Sequence, residues 1–203
     1  LATDLSGTWE SYRVFFAQVN WRLRTGDRFE LNAKPTGERL IERFEIADGV
    51  SIPPGSYHWV RYRVEVGTAQ KRRLYSQVTW WLGGFYDGDL DQIIWTGAWN
   101  PTPLITVEFT GERNIGRLPS GDFTQTLVGN RLRLNISPDL SIASYVQYDT
   151  DSDSVGVNTR LRWTFSPVGD LFVVYNHNVQ ERFERWQLDS NQLLVKVQYA
   201  LRY

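Results

Sequence analysis

Cysteine and methionine are both missing from the 203 residues. The first absence removes a disulfide framework, a thiolate metal site and a catalytic thiol. The second means that residue 1 is not a translation start, so the chain is expected to be a processed product or part of a longer one. Histidine is scarce as well: His58 and His177 are too few for a histidine metal cluster. No stretch approaches the roughly 18–20 uninterrupted apolar residues that a helix needs to span a bilayer, which excludes a helical inner-membrane protein. The opening "LATDLSGTWE" has neither the basic flank nor the apolar run of a signal peptide. A formal net charge of −1 gives no electrostatic case for nucleic acid as a partner.

What the chain has is alternation. In 12–24, Phe15, Ala17, Val19, Trp21 and Leu23 alternate with Gln18, Asn20, Arg22 and Arg24, and in 28–34 Phe29, Leu31 and Ala33 oppose Arg28, Glu30, Asn32 and Lys34. The period of two recurs in 58–66, 73–86, 90–100, 104–113, 123–136, 140–148, 155–165, 171–178 and 193–203, and this is the period of strands. About eleven strands and no convincing helix are expected. Between them, "TGD" 25–27, "GTAQKR" 67–72, "NPTP" 100–103, "SPD" 137–139 and "SPVGD" 166–170 predict tight turns. Longer connections are expected on the opposite side at 35–57, 114–122, 149–154 and 179–191, with a short one at 87–89.

Short turns on one rim, longer loops on the other and strands of about ten residues are the plan of an all-β, antiparallel up-and-down transmembrane barrel, or of the C-terminal part of a larger one. A soluble barrel or sandwich has the same alternation with the apolar side turned inward. Against it stand nine tryptophans, strand length and loop asymmetry. Trp21, Trp99, Trp163, Tyr199 and Tyr203 fall toward the short-turn rim and are expected to form an aromatic girdle. The terminal alternation Val195, Val197, Tyr199, Leu201 and Tyr203 has the form of the closing strand that barrel-assembly machinery recognises. An even strand number is the rule for bacterial single-chain barrels. Eleven therefore requires either a further short strand in the N-terminal segment 1–9 or completion by another chain or missing segment.

The polar faces collect Arg22, Arg24, Arg61, Arg63, Arg131, Arg133, Arg160, Arg162, Lys196 and Arg202, with Glu30, Glu65, Glu108 and Glu112 among them. In a barrel these side chains enter the lumen, either as a cation-lined passage for anionic solutes or as an arginine–glutamate ladder that rigidifies or plugs it. The run Asp149, Asp151, Asp153 begins like a calcium loop, but Ser154 and Arg160 stand where glycine and glutamate are required. His177 lies between Asn176 and Asn178 with no G-x-S-x-G elbow, so no catalytic residue is assigned and no enzyme activity, cofactor or metal is expected. In 35–57, the apolar Leu40, Ile41, Phe44, Ile46, Val50 and Ile52 predict a segment that folds into the lumen or packs on a partner.

The stretches "SIPPGSYHWVRYRVEVGTAQKRRL" (51–74), "GGFYDGD" (83–89), "GDFTQTLVGNRLRLNISPDLSIASYVQYD" (121–149) and "NTRLRWTFSPVGDLFVVYN" (158–176) resemble an uncharacterised bacterial family. Its long members carry a family-nine carbohydrate-binding-like module followed by a C-terminal outer-membrane barrel. The resemblance implies the barrel and its location in the outer membrane, with lipid and lipopolysaccharide as surroundings. The module has no counterpart in these residues, so no carbohydrate ligand carries over, and residues 1–50 match only loosely.

Overall fold

The computed structural model describes residues 2–3 and 7–201. Strand is the only regular structure among them, and every pairing given below is antiparallel. The strands are β1 (Ala2–Thr3), β2 (Trp9–Arg13), β3 (Phe16–Arg22), β4 (Arg28–Leu40), β5 (Phe44–Ala47), β6 (Val50–Ile52), β7 (Gly55–Gly67), β8 (Leu74–Phe85), β9 (Gly88–Thr102), β10 (Ile105–Leu118), β11 (Gly121–Ser137), β12 (Leu140–Asp149), β13 (Ser154–Ser166), β14 (Gly169–Arg182) and β15 (Arg185–Tyr199). Hydrogen-bonded neighbours follow chain order, except that β2 and β3 both lie on β4, β4 pairs β7, and β5 with β6 forms a separate hairpin. By packing, the chain divides into two compact units. Unit 1 holds Leu1–Arg72, Ser76–Trp95 and Glu112–Thr126; unit 2 holds Arg73–Tyr75, Thr96–Gly111 and Leu127–Tyr203.

The alternation read from the sequence becomes two faces in each unit. In unit 2 the register carries Leu134, Ile142, Leu161, Val173 and Val195 side by side across β11 to β15, an unbroken apolar row. The adjacent row runs Leu132, Ser144, Thr159, Tyr175 and Leu193, and its Ser144 and Thr159 hydroxyls satisfy each other at 2.9 Å. Because side chains alternate, the opposite face carries Arg133, Arg160, Arg131, Asn158, Asn176 and Gln192. In unit 1 the sides are inverted relative to a water-soluble fold. On β7, Val60, Tyr62 and Val66 are exposed, whereas Arg61 and Glu65 are buried at 7% and 5% exposure. Charged groups are almost never buried this way unless paired, and the exposed apolar side chains follow the strands instead of scattering.

Several boundaries differ from the sequence reading. The alternating run 12–24 is broken into β2 and β3, and Pro35 on β4 explains why. The Pro35 carbonyl accepts from the Val14 amide at 3.0 Å, so the side of Pro35 that lacks an N–H faces this point and the ladder cannot continue through it. β3 ends at Arg22, which leaves Arg24 in the turn that follows, off any strand face. The segment 35–57 is not one loop: β4 runs to Leu40, β7 starts at Gly55, and the β5–β6 hairpin lies between. Its Val50 and Ile52 are buried in unit 1, whereas Ile41 and Phe44 are exposed. The hairpin is tied down where Gln125 donates to the Ile46 carbonyl at 3.5 Å. Gly37, inside the segment expected to be a connection, lies within β4, where the Tyr12 ring occupies the space of a side chain.

The long connections expected at 114–122 and 179–191 are also strand. β10 and β11 meet across two residues, and so do β14 and β15, where Phe183 and Glu184 have φ of 55° and 59°. Two consecutive left-handed residues make the primed turn that matches strand twist. The loop asymmetry is therefore largely an excess of strand on one side: apolar residues are few and irregularly spaced there, and the period-two signal vanishes while the ladder continues. Within 1–9, the two-residue β1 pairs β2.

Candidate functional site

The charged face of unit 1 is built in rows by the β4–β7–β8 register. Glu30 lies opposite Glu65 and then Thr79; Asn32 opposite Arg63 and then Trp81; Lys34 opposite Arg61 and then Gly83; Thr36 opposite Trp59. Two facing glutamates would repel, and the arginines of neighbouring rows resolve this. Arg63 reaches Glu30 at 2.5 Å, Glu65 at 3.5 Å and the Asn32 side chain at 2.8 Å; Arg28 reaches Glu65 at 2.9 Å. Thr79 donates to Glu65 at 2.9 Å, and Arg28 also donates to Gln77. Two cations and two anions thus form one balanced network on a shielded face, with charge-assisted hydrogen bonds filling the carboxylate oxygens.

One row further along the balance fails. Lys34 and Arg61 face each other with no acid in ion-pair contact with either among the described residues. Arg61 donates through Nη2 to the carbonyls of Trp81 at 3.3 Å and Leu90 at 3.2 Å, while its Nε is buried without a partner. The indole of Trp81 lies within reach of three cations: Lys34 Nζ at 4.7 Å, Arg63 at 5.6 Å and Arg61 at 5.9 Å from the ring centroid. Each such contact is worth about 0.5–2 kcal/mol.

Arg61 can lie across the sheet because Gly83 is opposite it. Gly83 has φ of 111°, and a Cβ there would come 2.7 Å from the Val60 carbonyl oxygen. Gly83→Ala is expected to destabilise the chain by about 1–3 kcal/mol, read from denaturant unfolding in detergent, because it forces an L-residue into that conformation against backbone.

Beyond this row an aromatic cluster continues the same face. Trp59 and Tyr86 have ring centroids 4.7 Å apart, Phe85 and Tyr86 4.8 Å, and Tyr57 and Tyr86 5.3 Å. Tyr86 occupies the β8–β9 turn; burial first, and then the field and hydrogen bond of Glu38, push its hydroxyl up to about 12. None of these aromatics belongs to the expected girdle of Trp21, Trp99, Trp163, Tyr199 and Tyr203. The parity of β7 carries the signal, since Tyr57 and Trp59 share odd numbering with Arg61, Arg63 and Glu65.

In unit 2 the expected acidic and basic residues meet again. Glu108 takes Arg131 at 3.5 Å and also pairs with Arg133. Arg162 pairs with Asp170 at 3.2 Å, and both Arg160 and Arg162 lie over the Phe172 ring. Glu112, in unit 1, meets amides instead of arginine, accepting from Gln92 at 2.7 Å and Asn114 at 3.1 Å. Arg22 and Lys196 are exposed. A polar cleft of about 790 Å³ on the unit 2 face is lined by residues that include Asn158, Asn176, Asn178, Gln180 and Gln192. Trp21, Trp99, Trp163 and Tyr199 are all exposed, as are Val195, Val197 and Leu201. Arg202 and Tyr203, assigned respectively to the basic cluster and to the girdle and terminal signal, lie outside the described residues.

The aspartates of the expected calcium-like run cap the β12–β13 turn, where the Asp151 amide donates to Asp149 at 2.9 Å. His177 sits 3.5 Å from the Tyr175 hydroxyl.

No family model matches the chain, and no curated protein does. Among solved structures the chain is similar to one described as a KdgM porin, at 12% identity and a TM-score of 0.37, over 95% of this chain and 98% of that one.

Proposed function

We propose that the chain forms the wall of a bacterial outer-membrane β-barrel, or the C-terminal part of a larger one, and serves as a conduit favouring anionic solutes. One observation carries this reading: on β4 and β7 the charged Glu30, Arg61 and Glu65 are buried, while Val60, Tyr62 and Val66 on the other side of β7 are exposed. In water that arrangement loses the hydrophobic term and desolvates charge; in a bilayer it gains the first and gives the second a polar interior. The apolar row of unit 2 would then face lipid and lipopolysaccharide. The strand ending in Val195, Val197 and Tyr199 would be read by the barrel-assembly machinery, and a further chain or segment could complete the wall. The segments that resemble the uncharacterised outer-membrane barrel family support the same reading, and nothing in it requires an enzyme.

Conductance in planar bilayers is the test. The chain is expected to conduct with preference for anions, and Arg160→Gln or Arg162→Gln is expected to lower that preference, because each removes one cation from the polar face. Silent insertion would remove the conduit reading. A second reading, a structural anchor for an envelope complex, is favoured by the pairing of Arg28 and Arg63 with Glu30 and Glu65, which leaves those charges holding the wall. That reading expects the chain to purify with partners bound; isolation as a lone monomer that conducts would count against it.

A further inference from the structure

We infer that Lys34 and Arg61, side by side beneath Trp81, form a binding site for a single oxyanion group, a carboxylate or a phosphate. It deepens the conduit reading by naming one place on the polar face where an anionic solute is held, and it rests on that reading for the solute's access.

The inference starts from charge. Along the β4–β7 ladder the neighbouring rows are internally neutralised: Arg28 and Arg63 are shared between Glu30 and Glu65. The Lys34–Arg61 row is not. Like charges directly opposite each other on one face of a sheet repel, and burial strengthens the repulsion by removing the water that screens it. The nearest candidates for compensation are already engaged. Asp91, whose field reaches Arg61, holds Arg117 at 3.3 Å and the Trp80 indole at 3.1 Å. Glu38, further along β4, takes the Tyr86 hydroxyl.

The second argument is an unused donor. Arg61 is only 7% exposed, yet its Nε has no acceptor, and a buried donor left unmade is destabilising. Lys34 remains partly exposed, with its ammonium held over the indole and all three protons free of any carboxylate. An oxyanion seated between them accepts from the ammonium and from the idle guanidinium edge together. Trp81 fixes both cations from one side, so the site is preorganised before the anion arrives.

The chain in a maltoside detergent, which carries no phosphate, is the material for the test, and inorganic phosphate and acetate are the probes. With phosphate at saturating concentration, the unfolding temperature is expected to rise by about 2–4 °C over sodium chloride at equal ionic strength. Acetate is expected to act in the same direction, marking an oxyanion site open to either chemistry. Lys34→Gln is expected to abolish the difference. Lys34→Glu is expected to stabilise the chain without any probe and to make it indifferent to phosphate, since the introduced carboxylate supplies Arg61 with the partner it lacks. Because Lys34 is partly exposed, both variants are expected to keep the strand spectrum, which circular dichroism checks first; Arg61→Lys is the second variant if either fails. Equal stabilisation of parent and Lys34→Gln by phosphate, or by chloride, would overturn the site. A preparation that conducts in bilayers without a phosphate effect overturns the site and leaves the conduit. One that shows the Lys34-dependent effect without conductance keeps the site and removes the conduit.

Discussion

Leu161→Arg is expected to destabilise the chain in lipid vesicles by about 2–4 kcal/mol, and to leave it nearly unchanged if that face meets water. Leu161 is the centre of the five-strand row from Leu134 to Val195, with apolar neighbours on both sides. An arginine there has no water within reach and no acid on its own face in that row, so its charge must be dragged to the interface or the local bilayer deformed. On the surface of a soluble protein the same substitution removes one exposed apolar side chain, and its effect lies within about ±0.5 kcal/mol. Urea unfolding and refolding in vesicles measures the difference. A change below about 0.5 kcal/mol would show that the apolar side does not face lipid, and the outer-membrane reading would go with it.

The second large effect is on the opposite face. Glu65→Gln is expected to destabilise the chain by about 3–5 kcal/mol, since removing one partner of a buried ion pair leaves the other charge uncompensated. Glu65 is 5% exposed and holds Arg28, Arg63 and Thr79 together. Its loss strands Arg28 with only the neutral Gln77 and leaves Arg63 with Glu30 as its one acid. Combining Glu65→Gln with Arg28→Gln restores charge balance, and is expected to recover part of the loss in the same unfolding measurement. If the single variant unfolds like the parent, the network carries no stability and its charges are solvated.

The faces of the sheet were legible in the sequence wherever the two sides meet different surroundings. In 58–66 and 155–165 a single shift of register would exchange arginine for valine, so the pattern admits one arrangement. Where apolar residues are few and irregularly spaced the same rule loses its signal. The residues 179–191 read as a loop although β14 and β15 carry the ladder to Arg182 and Arg185. Pro35 and Gly37 lie in strand within the expected connection 35–57 for a different reason. Both are breakers by local propensity, but here the proline's missing donor coincides with the gap between β2 and β3, and the glycine leaves room for Tyr12. The ion pairs of Glu30, Glu65 and Glu108 follow from parity and opposite charge. The isolation of Lys34 with Arg61 does not, because which cation goes short depends on register, and one residue of slip would have paired them differently.

The reversal of faces also changes where the chain tolerates evolutionary drift. In a water-soluble protein the outside varies freely and the centre is held by packing. Along β7, by contrast, Val60, Val64 and Val66 need only remain greasy, so many residues of similar character would serve. Arg61, Arg63 and Glu65 each answer to a particular neighbour and leave far less latitude. Substitution is therefore expected to be cheapest on the apolar side of the strand and most costly among the paired charges.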